Sequence, residues 1–149
     1  MIAVLPSPLG MLTLTEENGA LTRIDYTPGA GPLSPATPLL REAEKQLNEY
    51  FAGKRTAFSL PLRPRGTAFQ QAAWAELQRI PYGETITYGQ QAARMGCPRA
   101  CRAVGGANGR NPLPIVIPCH RVVAAGGQWG GYTGGLDKKQ FLLALERSK

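Results

Sequence analysis

Between residues 111 and 122 the chain reads Asn-Pro-Leu-Pro-Ile-Val-Ile-Pro-Cys-His-Arg-Val, an apolar run fenced by prolines and closed by a Cys-His-Arg triplet. Each proline locks φ near about −65° and removes a backbone donor, so the approach to residue 119 is stiff and the cysteine is delivered to a fixed position. No other stretch constrains the chain as strongly.

The reactive form of cysteine is the thiolate. Its ordinary pKa, near about 8.5, can be lowered by a neighbouring imidazole or guanidinium, and an imidazole can also take the proton. His120 and Arg121 supply both groups next door. His120 is the one histidine in the chain, so general-base chemistry through an imidazole near neutral pH falls to it. By itself, however, a Cys-His pair is more often the mark of a small buried hydrophobe beside a satisfied core imidazole. The surrounding residues have to decide.

Upstream, alternating apolar and polar residues run from Met11 to Glu16 and from Leu21 to Tyr26. Between them stands Glu17-Asn18-Gly19, where Asn-Gly favours the positive φ angles of a tight hairpin. Ile2 to Leu5 offers a third strand. Residues 27–36 are rich in Pro, Gly and Ala, and Thr37-Pro38 then supplies an N-cap and a first-turn proline. A helix should follow to about Ala52, burying Leu39, Leu40, Ala43, Leu47, Tyr50 and Phe51, with Gly53 ending it. Prolines and arginines over 59–65 read as an extended linker. The expected organisation is a domain over 1–62 and a second over 63–149.

In the second domain Thr67 caps a helix to about Arg79 with Phe69, Ala72, Ala73, Leu77 and Ile80 as its apolar stripe. Pro81-Tyr82-Gly83 turns the chain. Thr87 caps a short helix ending near Met95, Gly96 and Pro98 make a tight turn, and a second helix runs from Arg99 to about Ala107. That is the outline of a helix-turn-helix, shared by many folds that meet no nucleic acid. The last helix spans about Leu136 to Arg147, with Phe141, Leu142 and Leu145 at helical spacing and Lys138, Lys139, Glu146 and Arg147 elsewhere around the axis.

A length of 149 residues, 43% of them hydrophobic, supports a folded core in one average domain or two small ones. A net charge of +7 and a pI near 9.7 steer polyanions toward the surface, which makes nucleic acid the leading partner. Met1 to Leu5 is too short for a signal core and no window nears the ~18 apolar residues that span a bilayer, so a cytoplasmic protein without a membrane partner is expected. Three cysteines, an odd number gathered in one third of the chain, fit a reducing compartment. Residues 1–96 contain neither Cys nor His, and Cys97 and Cys101 have only His120 to complete a tetrahedral set. No metal site is expected, and Cys97 and Cys101 read as packing residues. The glycines between Gly126 and Gly131 lack the strand-to-helix context and the Lys-Ser/Thr of a nucleotide-binding loop.

The hexapeptide from Ile117 to Val122 closely resembles the signature of the O6-alkylguanine-DNA alkyltransferase family. Four more stretches match in that family's order and spacing: Phe69 to Trp74, Ile80 to Thr85, Arg102 to Gly105, and Gly131 to Gly135. The likeness is close from about residue 67 to 147 and looser before. It implies an α+β chain, in which a small antiparallel sheet plus helix of ribonuclease H-like type packs on a mainly helical domain holding the helix-turn-helix and the active-site cysteine.

The resemblance also implies roles. Cys119 accepts the alkyl group, His120 draws its proton away through a bound water, Glu146 orients the imidazole, and Asn111 holds the hinge before the cysteine strand. O6 of guanine lies inside the duplex stack, so the nucleotide has to be flipped out. Tyr88 would crowd the phosphate and donate to guanine N3, and Arg102 would fill the stack, with Ala103, Gly105 and Arg121 also on the DNA side. Tyr132, Thr133, Val122 and Val123 would form the pocket. The implied function is irreversible, stoichiometric repair of O6-alkylguanine in double-stranded DNA by a monomer without a cofactor, O4-alkylthymine being left open.

Three rivals fit less well. An alkyltransferase-like lesion binder lacks the acceptor cysteine. A Cys-His hydrolase with turnover needs an oxyanion hole and water access, which nothing marks. A helix-turn-helix regulator leaves the Pro-Cys-His-Arg segment unexplained.

Overall fold

The computed structural model describes residues 1–26, 37–127, 131–132 and 134–147, which form two compact units, Met1–Arg65 and Gly66–Lys149. In the first unit the early alternation becomes an antiparallel meander of β1 (Ile2–Ser7), β2 (Gly10–Glu17) and β3 (Ala20–Asp25), ordered β1-β2-β3. Asn18 and Gly19 take φ of 50° and 78° at the β2–β3 turn, the left-handed pair that matches the twist of the flanking strands.

Helix α1 (Pro38–Phe51) lies against all three strands. Thr37 caps it, accepting a hydrogen bond from the Leu40 amide at 3.1 Å, and Pro38 opens the first turn, where its missing N–H has no partner to lose. Leu40, Ala43, Leu47 and Tyr50 are buried as the periodicity predicts, whereas Leu39 and Phe51 are only half-buried. Gln46 takes the remaining place on that face. Its Oε1 accepts from the Ser59 amide at 2.9 Å and its Nε2 donates to the Ser59 carbonyl at 3.3 Å, which fastens the extended segment to the helix. Farther along, the Leu21 amide donates to Pro61 and the Arg63 amide to Leu21. These bonds tie residues 61–63 to β3, and the first unit therefore runs on to Arg65, beyond the division after residue 62 that composition suggests.

The second unit contains α2 (Ala68–Leu77), α3 (Tyr88–Arg94), α4 (Cys101–Gly109) and α5 (Leu136–Arg147), with a two-residue parallel pair of β4 (Ile86–Thr87) and β5 (Val122–Val123). Thr67 and Thr87 begin α2 and α3 with full capping boxes, each reciprocated by the glutamine three residues on. On α2 the buried residues are Ala73, Trp74 and Leu77; Phe69 and Ala72, expected in the stripe, are exposed. The indole decides that orientation, since Trp74 Nε1 donates to the Ala107 carbonyl at 2.8 Å and draws its own face of the helix toward α4. The same ring lies where a side chain at Gly66 would go: a Cβ there would sit 2.5 Å from Trp74 Cη2.

Helix α4 begins two residues later than expected, at Cys101 rather than Arg99. Cys97 is half-buried, whereas Cys101 is exposed and is not the packing residue expected. On α5 the buried stripe is Lys139, Leu142, Leu143 and Glu146, rotated from the expected one, and Phe141 is exposed. Among the described residues no helix is long and apolar enough to cross a membrane.

The capping box of α2 is testable apart from any activity. Thr67→Ala should lower unfolding stability by about 1 kcal/mol in urea denaturation, with Thr67→Ser well within that loss. An unchanged midpoint in Thr67→Ala would show that the cap carries no weight.

Candidate active site

After α4 the chain enters the proline-fenced run. Asn111 organises it from inside: Oδ1 accepts from the Leu113 amide at 2.9 Å, and Nδ2 donates to the Ile117 carbonyl at 2.8 Å. The Ile117 amide in turn donates to the Leu113 carbonyl at 2.9 Å and closes the loop. Inside it Ile115 has φ of 75°, a strained angle for a β-branched residue, held in place by burial of Leu113, Ile115 and Ile117. Cys119 then lies on a single 3-10 turn, Cys119–Arg121, and not on the strand expected for it. Prolines at 112, 114 and 118 leave too few donors for a ladder, and pairing begins only at Val122.

From that turn Cys119 and His120 diverge. His120 is fully buried, and its Nε2 lies 2.7 Å from Glu146 Oε2 at the end of α5. Arg121 grips the same carboxylate with two bonds, Nε to Oε1 at 2.9 Å and Nη2 to Oε2 at 3.0 Å. Its Nη1 donates to the Ile80 carbonyl at 2.7 Å, and its guanidinium carbon stands 5.7 Å from the centre of the Tyr82 ring. The Gly83 amide adds a weaker bond to Oε1 at 3.3 Å. Arg121, expected on the DNA side, is thus turned inward and spent on Glu146; a buried carboxylate has to be matched by a buried cation.

This pairing settles the histidine's chemistry. A carboxylate already facing a guanidinium stays ionised and can only accept, so His120 Nε2 carries the proton and Nδ1 holds the lone pair. Nδ1 is buried and has no hydrogen-bond partner among the described residues. Burial lowers the imidazole's pKa from its ordinary value, against the pull of Glu146, so the ring rests neutral.

The thiol goes the other way. Burial pushes Cys119 up to about 11, although the Asn111 hydrogen bond and the charge of Lys139 both favour the thiolate. The expectation that His120 and Arg121 would lower it is not met: the imidazole is neutral and the guanidinium is neutralised by Glu146. The nearby cation is Lys139, which sequence periodicity places away from the core. It is wholly buried, and its Nζ donates to the carbonyls of Val122 at 2.6 Å and Gly131 at 3.0 Å. Burial brings its own pKa down to about 8. A lysine at the i, i+3, i+4, i+7 spacing of 139, 142, 143 and 146 was the available signal, masked by the preference for apolar residues inside.

Cys119 borders a cavity of about 330 Å³ together with Tyr88, Gly105, Asn108, Gly109, Gly131 and Tyr132. Tyr88, at the start of α3, is hydrogen-bonded to the Gly131 backbone, and burial raises its hydroxyl pKa. A Cβ at Gly105 of α4 would lie 3.8 Å from the Tyr88 ring, an ordinary van der Waals contact. Arg102 and Ala103 are exposed on the outer side of α4. Two expected pocket residues lie elsewhere: Val122 is fully buried with its carbonyl given to Lys139, and Val123 is half-buried without lining the cavity. Thr133 falls outside the described residues. A buried thiol, a neutral imidazole with one open nitrogen and a cavity beside them can carry out one nucleophilic transfer to sulfur.

Comparison with known proteins bears on what is transferred. Residues 1–64 match the ribonuclease-like domain of 6-O-methylguanine DNA methyltransferase, and residues 68–148 match its DNA binding domain. The chain is 49% identical over 146 residues to the methylated-DNA–protein-cysteine methyltransferase of Mycolicibacterium paratuberculosis, covering 95% of this chain and 88% of that one. Its counterpart in Methanosarcina acetivorans is 44% identical over 152 residues, covering 98% and 97%. The structure of Mycobacterium tuberculosis OGT in complex with DNA has a TM-score of 0.91 at 45% identity, covering 99% of this chain and 92% of that chain. With both halves matched in order and relatives alike along nearly the whole length, the chain belongs to the 6-O-methylguanine DNA methyltransferase family.

Proposed function

We propose that this protein repairs double-stranded DNA by taking the alkyl group of a flipped-out O6-alkylguanine onto Cys119 Sγ, once per molecule. One observation carries the assignment: Cys119 borders a cavity of about 330 Å³ and is followed by a histidine whose Nε2 is held by an ionised carboxylate while its buried Nδ1 is left open. That volume lies in the range of small-molecule sites.

The thiol proton passes to His120 Nδ1 through a bound water, and the imidazolium formed is held by Glu146. Sγ attacks the alkyl carbon as the bond from that carbon to O6 breaks, and the electron pair leaves on the purine. Tyr88 donates a proton to guanine N3, so a neutral base departs. The product is a thioether, which has no acyl carbon for water to attack, and the protein is spent. No metal or cofactor enters these steps.

Because burial pushes the thiol up, the free thiolate is scarce at neutral pH, and the proton leaves as Sγ attacks. Arg102, exposed on α4 with Ala103 beside it, enters the minor groove and fills the gap left by the base. The net charge of +7 draws the duplex in. Tyr132 walls the pocket, and the protein acts as a monomer in the cytoplasm.

Incubation with O6-methylguanine duplex should add one methyl group to the peptide containing Cys119, read by mass spectrometry. Repair that left this peptide unmodified would refute the assignment. Cys119→Ala should abolish transfer and keep duplex binding in a gel-shift assay.

Arg102→Ala should slow transfer from duplex by about tenfold or more while slowing reaction with free O6-benzylguanine much less. Equal losses on both substrates would remove the stack-filling role.

The rate of transfer should also report His120. The working form is the neutral imidazole and its pKa is lowered, so the rate should hold level as pH falls through the ordinary histidine value of 6.5 and decline only below it. A decline centred at or above 6.5 would show that His120 is not the base.

A further inference from the structure

Helices α3 and α4 are joined in their buried interface by two primary amides. Gln91 is fully buried and Asn108 is 5% exposed. Gln91 Nε2 donates to Asn108 Oδ1 at 3.0 Å, and Asn108 Nδ2 donates back to Gln91 Oε1 at 2.8 Å. The Ala73 carbonyl of α2 accepts a further bond from Gln91 Nε2 at 3.2 Å, which settles which end of that amide is nitrogen and therefore how Asn108 faces it.

Two apolar side chains would fill this space with no polar group to desolvate, and in general such a swap costs little stability. What an amide pair provides is direction. Both bonds are well made at one setting of the two helices, and a slide by one residue, about 1.5 Å along the axis, stretches and misaligns both. The two helices carry different parts of the site: α3 opens with Tyr88, and α4 bears Arg102 on its outside and Gly105, Asn108 and Gly109 along the cavity that Cys119 borders.

We propose that the reciprocal amide pair of Gln91 and Asn108 is a positioning device for transfer from duplex DNA, fixing α3 in register with α4 at the wall of the acceptor cavity. This rests on the reading of the site given under the proposed function. A base held in a duplex reaches Sγ only when Arg102 in the stack, Tyr88 at the phosphate and the cavity are in place together. A free base needs the cavity with Tyr88 in its wall, but neither the stack filled by Arg102 nor the contact at the phosphate. Loosening the register therefore penalises the duplex reaction selectively, which a merely structural bond would not do.

The test compares Gln91→Met with the wild type, reading transfer from O6-methylguanine duplex and from free O6-benzylguanine; Asn108 is left in place because it lines the cavity itself. In Gln91→Met the ratio of duplex rate to free-base rate should fall about tenfold. The variant leaves the Asn108 amide buried without its partner and should also melt earlier. Thr67→Ala, which loosens the cap of α2 away from the cavity, should melt earlier too but keep the wild-type ratio. A wild-type ratio in Gln91→Met, equal slowing of both reactions in it, or the same fall of the ratio in Thr67→Ala would overturn the proposal. A wild-type protein inert toward methylated duplex would instead overturn the repair reading, and this proposal with it.

Discussion

The carboxylate of Glu146 sits in the interior of the second unit with 2% of its surface exposed. Alone in such a place a carboxyl group would take up a proton, because the cost of burying its charge exceeds any gain from keeping it. Arg121 prevents that by meeting both oxygens, and it can do so because its remaining donor reaches the Ile80 carbonyl. Buried ion pairs of this kind add little net stability over apolar packing, but removing one partner leaves a stranded charge. The pair therefore acts as a fixture. It ties the end of α5 to the turn after α2 and to the 3-10 turn that bears the cysteine, and it fixes which nitrogen of His120 holds the proton.

From that fixture follows a site that rests uncharged where it will react. The thiol is pushed up, the imidazole is pushed down, and the cation that favours the thiolate, Lys139, is itself weakened by burial. Such an arrangement suits a residue that can be used once. A thiolate standing free in solution is open to oxidation and to chance electrophiles, whereas a protonated, nearly buried thiol is protected from both.

What the sequence shows and hides divides along the range of the interactions involved. The Asn-Gly hairpin and the three threonine caps are local, and residues a few positions apart suffice to specify them. The buried face of α5 is different. Periodicity selects Phe141, Leu142 and Leu145, while the helix in fact turns Lys139 and Glu146 inward, because their partners lie on the cysteine turn and beside Gly131. Arg121 is hidden for the same reason. Next to a cysteine it reads as a group that tunes the thiol or meets DNA, and only the distant Glu146 and Ile80 reveal that its charge is already spent. Charged residues at buried positions are the usual cost of a site, and patterning by hydrophobicity misplaces them systematically.

Helix α4 shows how far such a site leans on its surroundings. It has no side-chain cap at its N-terminus, and Gly105, Gly106 and Gly109 each disfavour a helix by up to about 1 kcal/mol relative to alanine. Nine residues of this composition would not hold together in water. They are held by the Trp74 indole on the Ala107 carbonyl, by the burial of Val104, and by the paired amides of Gln91 and Asn108. All of these contacts lie on the inner side, and the outer side is left with small residues and two exposed arginines, Arg102 and Arg110. A helix built of larger side chains would be more stable in isolation and thicker on its outer face. The weakness of α4 as a helix and its thin outer face are therefore the same property, and the burden of rigidity passes to the neighbours that clamp its inner face.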